Sequence, residues 1–373
     1  MPYLCINDKI NDKITQIENP LDQEIITDNR YVGTMRENRG NVFCEVTMFE
    51  LKYPLFDGER IRNSAAVTIE DGFITSVTDC APEDCDDGFL MPGLIDAHTH
   101  MGTMMQAESM LQNGISATCD VDGSQSLISS SRQLKIISSA GMAMGMVMNP
   151  KGFVERAVEK GARYIKVLLF STLSIGKPAL CGIVKAAHTR GLKVAAHATQ
   201  IATVRQAVEA GADILIHVPM KGEYPPVLAK TIAENGIAVA PTLVMMETFA
   251  NSRRNGYIPE HYGNAEKAVK LLHESGVKIL AATDANSGSF APGVAFGTSM
   301  HREMELMVKS GMTPTEVLAS ATSQSAEVFG INEFGMIKAG KRADLLLVEG
   351  RPDKNITDTK KVKQLWIDGK LII

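Results

Sequence analysis

The stretch Phe89-Leu-Met-Pro-Gly-Leu-Ile-Asp-Ala-His-Thr-His100 decides the fold of this chain. It is an apolar run that ends in polar residues, which is typical of a strand buried in a parallel sheet. His98 and His100 are two residues apart, so in an extended strand both imidazole rings project from the same face. Two imidazoles on one face can hold a divalent cation without backbone strain. We therefore expect a metal site at the end of this strand.

Short apolar segments alternate with amphipathic segments along the chain after this stretch, as strands and helices do in a parallel sheet. Eight strands can be counted, at residues 89–98, 116–121, 143–148, 164–170, 193–197, 213–218, 237–243 and 278–283. An open doubly wound sheet would carry a glycine-rich phosphate loop after its first strand, and the sequence has none there. The repeats predict the α/β class, with a TIM-like (β/α)8 barrel at residues 89–335.

The two ends of the chain share a different pattern. Strand-like residues 66–70 and 73–77 flank Asp71-Gly72, and residues 362–367 and 370–372 flank Asp368-Gly369. An Asp-Gly pair between two such segments predicts a hairpin. We therefore expect a small β-sandwich assembled from both chain ends, comprising residues 46–88 and 336–373. Residues 1–45 are polar with weak periodicity and are predicted to be an N-terminal extension.

Polar residues follow several of the predicted strands. Four of the eight histidines stand at strand ends: His197 and His217 join His98 and His100. Asp284 follows the eighth strand in the same way. A barrel brings the carboxyl ends of its strands to one mouth, and burying so many polar groups there without a partner would be costly. The sequence therefore predicts that these five residues bind metal.

Lys166 is a lone cation within the apolar fourth strand, Tyr164-Ile-Lys-Val-Leu-Leu-Phe170. A buried, unpaired ammonium group is strongly disfavoured. Three interpretations are open: a lysine that is neutral, a lysine whose amine CO₂ has carboxylated to a metal-bridging carbamate, and a lysine that extends to the rim.

The motif Pro92-Gly-Leu-Ile-Asp-Ala-His-Thr-His100 resembles the first-strand signature of the amidohydrolase superfamily, and Gly335-Met-Ile-Lys-Ala-Gly-Lys-Arg-Ala-Asp-Leu345 resembles its closing segment. Within the superfamily the chain looks most like the imidazolonepropionase-related and prolidase-like (Xaa-Pro dipeptidase-related) branch. The segments that carry this likeness are residues 161–167, 194–198, 241–244 and 282–285.

The resemblance implies a site with two divalent metal ions. His98, His100 and Asp284 would bind one ion, His197 and His217 the other, and carboxylated Lys166 would bridge them together with a hydroxide. Asp284 would be the proton shuttle, with His197 and His217 as further catalytic residues. The donor set favours zinc, with manganese, iron and cobalt as alternatives.

Two features depart from the family pattern and bear on the substrate. The stretch between His100 and Lys166 (residues 101–165) is shorter than in the dipeptidases, and the extension at residues 1–45 is not a family feature. Met245, Met246, Phe249 and Tyr257 follow the seventh strand and suit a bulky apolar group, and Arg253 could meet a carboxylate.

The sequence therefore predicts a metal-dependent hydrolase that acts on a carbon–nitrogen bond. Its substrate would be a dipeptide or an N-acyl amino acid with a hydrophobic part. Three alternatives stay open on the same site: a lactone hydrolase, a deaminase of a cyclic imine or amidine, and a non-hydrolytic lyase or dehydratase.

Composition limits the partners. Charged residues make up 22% of the chain and the net charge is −5, with no basic run that would indicate nucleic acid. The sequence has no apolar stretch near the length of a membrane span, and its N-terminus lacks the pattern of a secretory signal. We expect a cytoplasmic homo-oligomer that acts on a small molecule.

Overall fold

The computed structural model of the chain describes residues 24–27, 31–38, 41–121, 125–131, 133–170, 175–253, 256–289 and 291–373. The strands are β1 (Glu24–Thr27), β2 (Tyr31–Asn38), β3 (Asn41–Phe56), β4 (Ile61–Glu70), β5 (Phe73–Asp79), β6 (Phe89–Pro92), β7 (Leu94–Thr99), β8 (Ile115–Asp120), β9 (Lys135–Ser138), β10 (Met142–Ala143), β11 (Ile165–Leu169), β12 (Val194–Ala198), β13 (Ile214–Ile216), β14 (Ala238–Ala240), β15 (Leu345–Val348), β16 (Val362–Ile367) and β17 (Lys370–Leu371).

The α-helices are α1 (Met104–Gln112), α2 (Gln125–Ser130), α3 (Pro150–Glu159), α4 (Lys177–Thr189), α5 (Ile201–Ala210), α6 (Pro226–Glu234), α7 (Leu243–Ser252), α8 (Tyr262–Glu274), α9 (Thr298–Lys309), α10 (Pro314–Ser320) and α11 (Ser323–Phe329). Each of the longer helices buries one face. In α8 the buried residues are Tyr262, Ala265, Ala268, Val269 and Leu272, the spacing of an amphipathic helix.

Parallel strands and helices alternate through the middle of the chain. Strands β10 to β14 form a five-stranded parallel sheet, and β7 to β9 form a three-stranded parallel sheet. Residues 278–285, called here the bridging segment, pair with both sheets. Leu280 N donates to Val239 O on β14, and Asp284 N donates to His98 O on β7. The closed eight-stranded barrel itself stays a prediction.

Three of the predicted strands differ from the observed elements. The third strand was expected at 143–148, but the structure has β9 at Lys135–Ser138 and only Met142–Ala143 in β10. Residues 144–148 carry exposed methionines at positions 144, 146 and 148, whose apolar side chains imitate a buried strand in the sequence. The eighth predicted strand is the bridging segment, which makes single bridges rather than a regular ladder.

The first predicted strand, 89–98, is two strands in two sheets. Before Gly93, β6 pairs with β15; after it, β7 pairs with β8. A Cβ on Gly93 would lie 2.5 Å from the Ser116 hydroxyl oxygen, so only glycine allows the chain to pass here. Because the chain passes from one sheet to the other at Gly93, β7 leads to the candidate site.

Strands from both chain ends form one nine-stranded sheet, ordered β1-β2-β3-β6-β15-β16-β17 with β4 and β5 alongside β3. The two Asp-Gly hairpins are confirmed: β4 pairs with β5 and β16 with β17, and all four turn residues have positive φ. Strand β3 crosses residue 45, the predicted end of the extension, and β1 and β2 join the same sheet. The two-layered sandwich and the domain limits stay predictions, and residues 1–23 lie outside the described part.

Among the described residues, none of the helices has the length and apolar character that crossing a bilayer requires.

Candidate metal centre

Two histidines and one aspartate form the innermost part of the candidate site. His98 and His100 come from the end of β7, and Asp284 comes from the bridging segment. Asp284 Oδ1 lies 3.5 Å from His98 Nε2 and 3.2 Å from His100 Nε2. One potential ligand atom from each residue lies within 4.8 Å of the others. These three side chains can therefore converge on one divalent ion.

Lys166 lies on β11 with its Nζ 3.4 Å from His98 Nε2. The residue is only 2% exposed, so the interpretation in which it extends to the rim is excluded. An ammonium group at this depth is disfavoured, and a divalent ion nearby would disfavour it more. The neutral and carboxylated forms remain open.

His197 and His217 complete the group of strand-end histidines. Their ring centroids are 4.5 Å apart, and those of His98 and His217 are 5.8 Å apart. His197 is the second-to-last residue of β12 and pairs with Leu168 on β11, and His217 directly follows β13. The structure therefore brings together all six residues predicted as metal ligands.

Burial favours the neutral form of three imidazoles at this site, those of His98, His197 and His217. It lowers the pKa of His98 and His217 well below the usual value and that of His197 to about 3. A neutral imidazole has the lone pair that a metal ligand needs. The chemistry of the donor set therefore fits divalent metal ions.

Three residues at the site have a strained backbone. His217, Thr242 and Asp284 have positive φ values of 73°, 52° and 58° although none is glycine. Such conformations cost about 1–3 kcal/mol each and persist where surrounding contacts enforce them. Here they turn the backbone where two ligand side chains enter the site.

One enforcing contact joins His217 to Thr242. The two atoms, His217 Nδ1 and Thr242 Oγ1, are 2.7 Å apart, and Thr242 is fully buried. When Nδ1–H donates to the hydroxyl oxygen, Nε2 keeps its lone pair and its direction. Thr242 therefore orients the ring of His217, a candidate ligand.

The turn at Thr242 is itself held by Glu303 on α9. Its carboxyl oxygens accept hydrogen bonds from the amides of Leu243 (2.9 Å) and Val244 (2.7 Å), at the start of α7. Burial raises the pKa of Glu303 to about 8, while the two amide bonds lower it. Our sequence reasoning missed this residue. The available signal was one acid on the apolar face of α9, next to Met300, Met304 and Met307.

Asp96 ties β7 to the bridging segment. Its carboxyl oxygens accept hydrogen bonds from His98 N (3.2 Å), Thr283 N (3.0 Å) and Thr283 Oγ1 (2.6 Å). Burial raises the pKa of Asp96 to about 7, although these hydrogen bonds lower it. Because Thr283 precedes Asp284, this contact fixes Asp284 relative to the two candidate ligands at the end of β7.

Two adjoining cavities open at the site. The inner cavity, about 260 Å³, is lined by the six candidate ligands together with Met142, Leu168, Phe170, Thr199, Met246, Asn286, Ser287, Ser289 and Ala291. The outer cavity, about 620 Å³, shares Phe170, His197, Thr199 and Met246 with it. Phe170 packs on His197 with ring centroids 4.8 Å apart. Phe170, Asn286 and Thr199 were not among the predicted site residues, although each lies within two residues of a candidate ligand or a strand end.

The predicted substrate contacts divide into two groups. Met246 lines both cavities, and Phe249 and Tyr257 line the outer cavity. Met245 and Arg253 line neither, which corrects two predictions. Met245 is turned about 100° from Met246 around α7 and is buried in the core. Arg253 ends α7 in a left-handed conformation and is exposed.

The amidohydrolase family model matches residues 151–372, more than half of the chain, so the chain belongs to the amidohydrolase family. The matched residues contain Lys166, His197, His217 and Asp284. His98 and His100 precede them.

The curated relatives that the chain resembles include the imidazolonepropionase of Cutibacterium acnes (strain DSM 16379 / KPA171202), which is 29% identical over 38% of this chain and 37% of the relative. The imidazolonepropionase of Deinococcus radiodurans is 27% identical over 47% of this chain and 39% of the relative. The chain thus matches about two fifths of the length of these relatives.

A solved structure of a Xaa-Pro dipeptidase with bound methionine in the active site superposes with a TM-score of 0.76. It is 21% identical and covers 87% of this chain and 100% of the dipeptidase chain. At this identity the likeness shows a shared fold, which is TIM-barrel-like and of the α/β class.

Proposed function

We propose that this chain is a metal-dependent hydrolase that cleaves the amide bond of a dipeptide or an N-acyl amino acid with a hydrophobic part. The observation that carries the proposal is the convergence of His98, His100 and Asp284 around a point where one ion can bind all three. Family membership supports hydrolysis at a carbon–nitrogen bond.

The proposal includes two ions, zinc by the character of the donors. His98, His100 and Asp284 would hold one ion, His197 and His217 the other, and Lys166 as a carbamate would lie between them. When bound, such ions lower the pKa of a water molecule towards neutrality and polarise a carbonyl group.

Asp284 is the proposed proton carrier. A carboxylate has two oxygens, so one can bind an ion while the other accepts a proton from the attacking water and donates it to the leaving nitrogen. The hydrogen bonds that fix Asp96, Thr283 and the backbone of Asp284 keep this carboxylate beside both histidines.

The walls of the cavities support an apolar group on the substrate. Phe170 and Met246 line both cavities, and Phe249 and Tyr257 extend the apolar wall outwards. Such a surface excludes water from the reacting bond and gains affinity by burying hydrocarbon.

The curated relatives favour a second candidate. Their name, imidazolonepropionase, denotes an imidazolone, a ring in which a carbon–nitrogen bond lies next to a carbonyl group. Hydrolysis of such a cyclic amide would use the same ligands and the same Asp284.

The test is to load the purified full-length chain with zinc and to measure hydrolysis of matched panels of N-acyl amino acids, dipeptides, cyclic amides and lactones. We expect turnover of a linear amide with an apolar part. Turnover only of cyclic amides would replace the first candidate with the second. No turnover of any carbon–nitrogen bond by a chain with its metal bound would contradict both candidates.

A further inference from the structure

The outer cavity has a polar feature that the proposed chemistry does not use. Lys221 is the one lysine or arginine among the described residues that line this cavity, and no aspartate or glutamate lines it. Its neighbours in the wall are mainly apolar, with Met246 and Phe249 on α7. The cavity therefore combines one positive charge with an apolar surface.

Lys221 lies close in sequence to a candidate ligand. It follows His217 by four residues, on the loop that leaves β13. Just before it, Met220 is buried, and its carbonyl oxygen accepts a hydrogen bond of 2.9 Å from Asn264 Nδ2 on α8. The base of the lysine is thus anchored to the packed helices.

The head of Lys221 lies against an aromatic wall. Its Nζ is 4.4 Å from the centroid of the Tyr257 ring, and the Tyr257 ring meets Phe249 edge to face at 5.5 Å. Attraction between a cation and a ring face holds the ammonium group on this side of the cavity. A ligand carboxylate can still bind, since an ammonium group offers three donors.

We propose that Lys221 and the outer cavity form the subsite for the carboxylate of the substrate, which makes the substrate an N-acyl amino acid or dipeptide with a free carboxylate. This inference rests on the proposed function. His197 and Met246 line both cavities, so a substrate can have its amide beside the ligands and its carboxylate at Lys221. Lys221 takes the role that the sequence analysis expected of Arg253, which lines neither cavity.

The experiment compares two compounds that differ only in their terminal group, a carboxylate in N-acetyl-L-phenylalanine and a neutral carboxamide in N-acetyl-L-phenylalaninamide, with the zinc-loaded chain, and follows release of acetate from each. Lys221→Met removes the charge and keeps an apolar side chain. We expect it to raise KM for the acid about tenfold, the scale of one charge-assisted hydrogen bond, with kcat and the kinetics of the amide nearly unchanged. Lys230→Met is the matched control, because Lys230 is exposed on α6 and pairs with Glu234 at 3.6 Å.

Calorimetric titration with the same two compounds separates this inference from the proposed function. Tighter binding of the acid than of the amide, lost in Lys221→Met and retained in Lys230→Met, supports the subsite even if neither compound is hydrolysed. Equal binding of the two compounds, or an unchanged affinity for the acid in Lys221→Met, overturns the subsite. Hydrolysis of both compounds at equal rates by the unaltered chain and by Lys221→Met would also overturn the subsite. That result would not contradict the proposed amide hydrolysis.

Discussion

The inner cluster of ligands and the wall of the outer cavity are built in different ways. His98, Lys166 and His217 come from or directly follow strands, and all are at most 4% exposed. Phe249 comes from a helix and Tyr257 from a loop, and both are partly exposed, whereas Lys221 comes from a second loop and is exposed. The ligands are thus fixed by the packed sheet, whereas the wall can change without disturbing the strands.

This difference implies that the inner cluster determines the chemistry, whereas the wall of the outer cavity determines which substrate is used. Replacing a candidate ligand should abolish the reaction or the metal, because an ion held by all of them would lose one of its donors. Replacing a wall residue should change which substrate is used, with the site otherwise intact. The following four predictions test that division, from the largest effect to the smallest.

Asp284→Asn should lower kcat by at least about a thousandfold, on the scale seen when a transition-state interaction and a proton carrier are lost. The amide keeps one oxygen for an ion but cannot carry the proton. Metal content should stay close to that of the unchanged chain. Steady-state kinetics with elemental analysis would check both, and a near-normal kcat would remove Asp284 from proton transfer.

Lys166→Ala should lose bound metal, because the bridging group is gone and His98 loses its neighbour at 3.4 Å. Acetate or bicarbonate should restore part of the metal and of the activity by replacing a carbamate. Lys151→Ala on α3, where the side chain is 81% exposed, is the control. If the Lys166 variant retained the full metal content, a bridging role would be ruled out.

Thr242→Val should weaken metal binding about 10- to 100-fold, the usual effect of removing the partner of a ligating histidine. Valine keeps the branched shape but cannot bond His217 Nδ1. Thr248→Val is the matched control on α7, since that hydroxyl donates to the carbonyl oxygen of Val244 instead. Competition with a chelator measures both affinities, and equal values would show that Thr242 only packs.

Phe249→Ala should raise KM for substrates with a large apolar group about tenfold, the scale of losing a partly buried ring. The kcat and the metal content should hardly change. Arg253→Gln should alter neither constant, because Arg253 lines neither cavity. A drop in metal content in Phe249→Ala would show that the wall and the ligands are not independent.

The grouping of the candidate ligands could be predicted from sequence because a parallel strand fixes where its last residue goes, whereas their role as ligands stays a prediction. Once the strands that end at His98, His197 and His217 are recognised, their convergence follows from topology. The carboxylate at position 284 was found by the same reasoning, although its segment makes only isolated bridges.

Other features depend on tertiary packing and could not be predicted from the local sequence. The methionines at 144, 146 and 148 have the composition of a buried strand but are exposed. Whether residue 245 or 246 faces the cavity depends on how α7 is rotated against the sheet. The contact of Glu303 with α7 joins residues about sixty positions apart, and no short pattern indicates it.

The most direct test of the central claim is the metal content of the purified chain, measured by elemental analysis after dialysis against zinc and then against metal-free buffer. We predict two zinc ions retained per chain, and loss of at least one when His98 and His100 are both replaced by alanine in a chain that stays folded by circular dichroism. A folded, unaltered chain that retains no zinc, or a double variant that retains as much as the unaltered chain, would contradict the account.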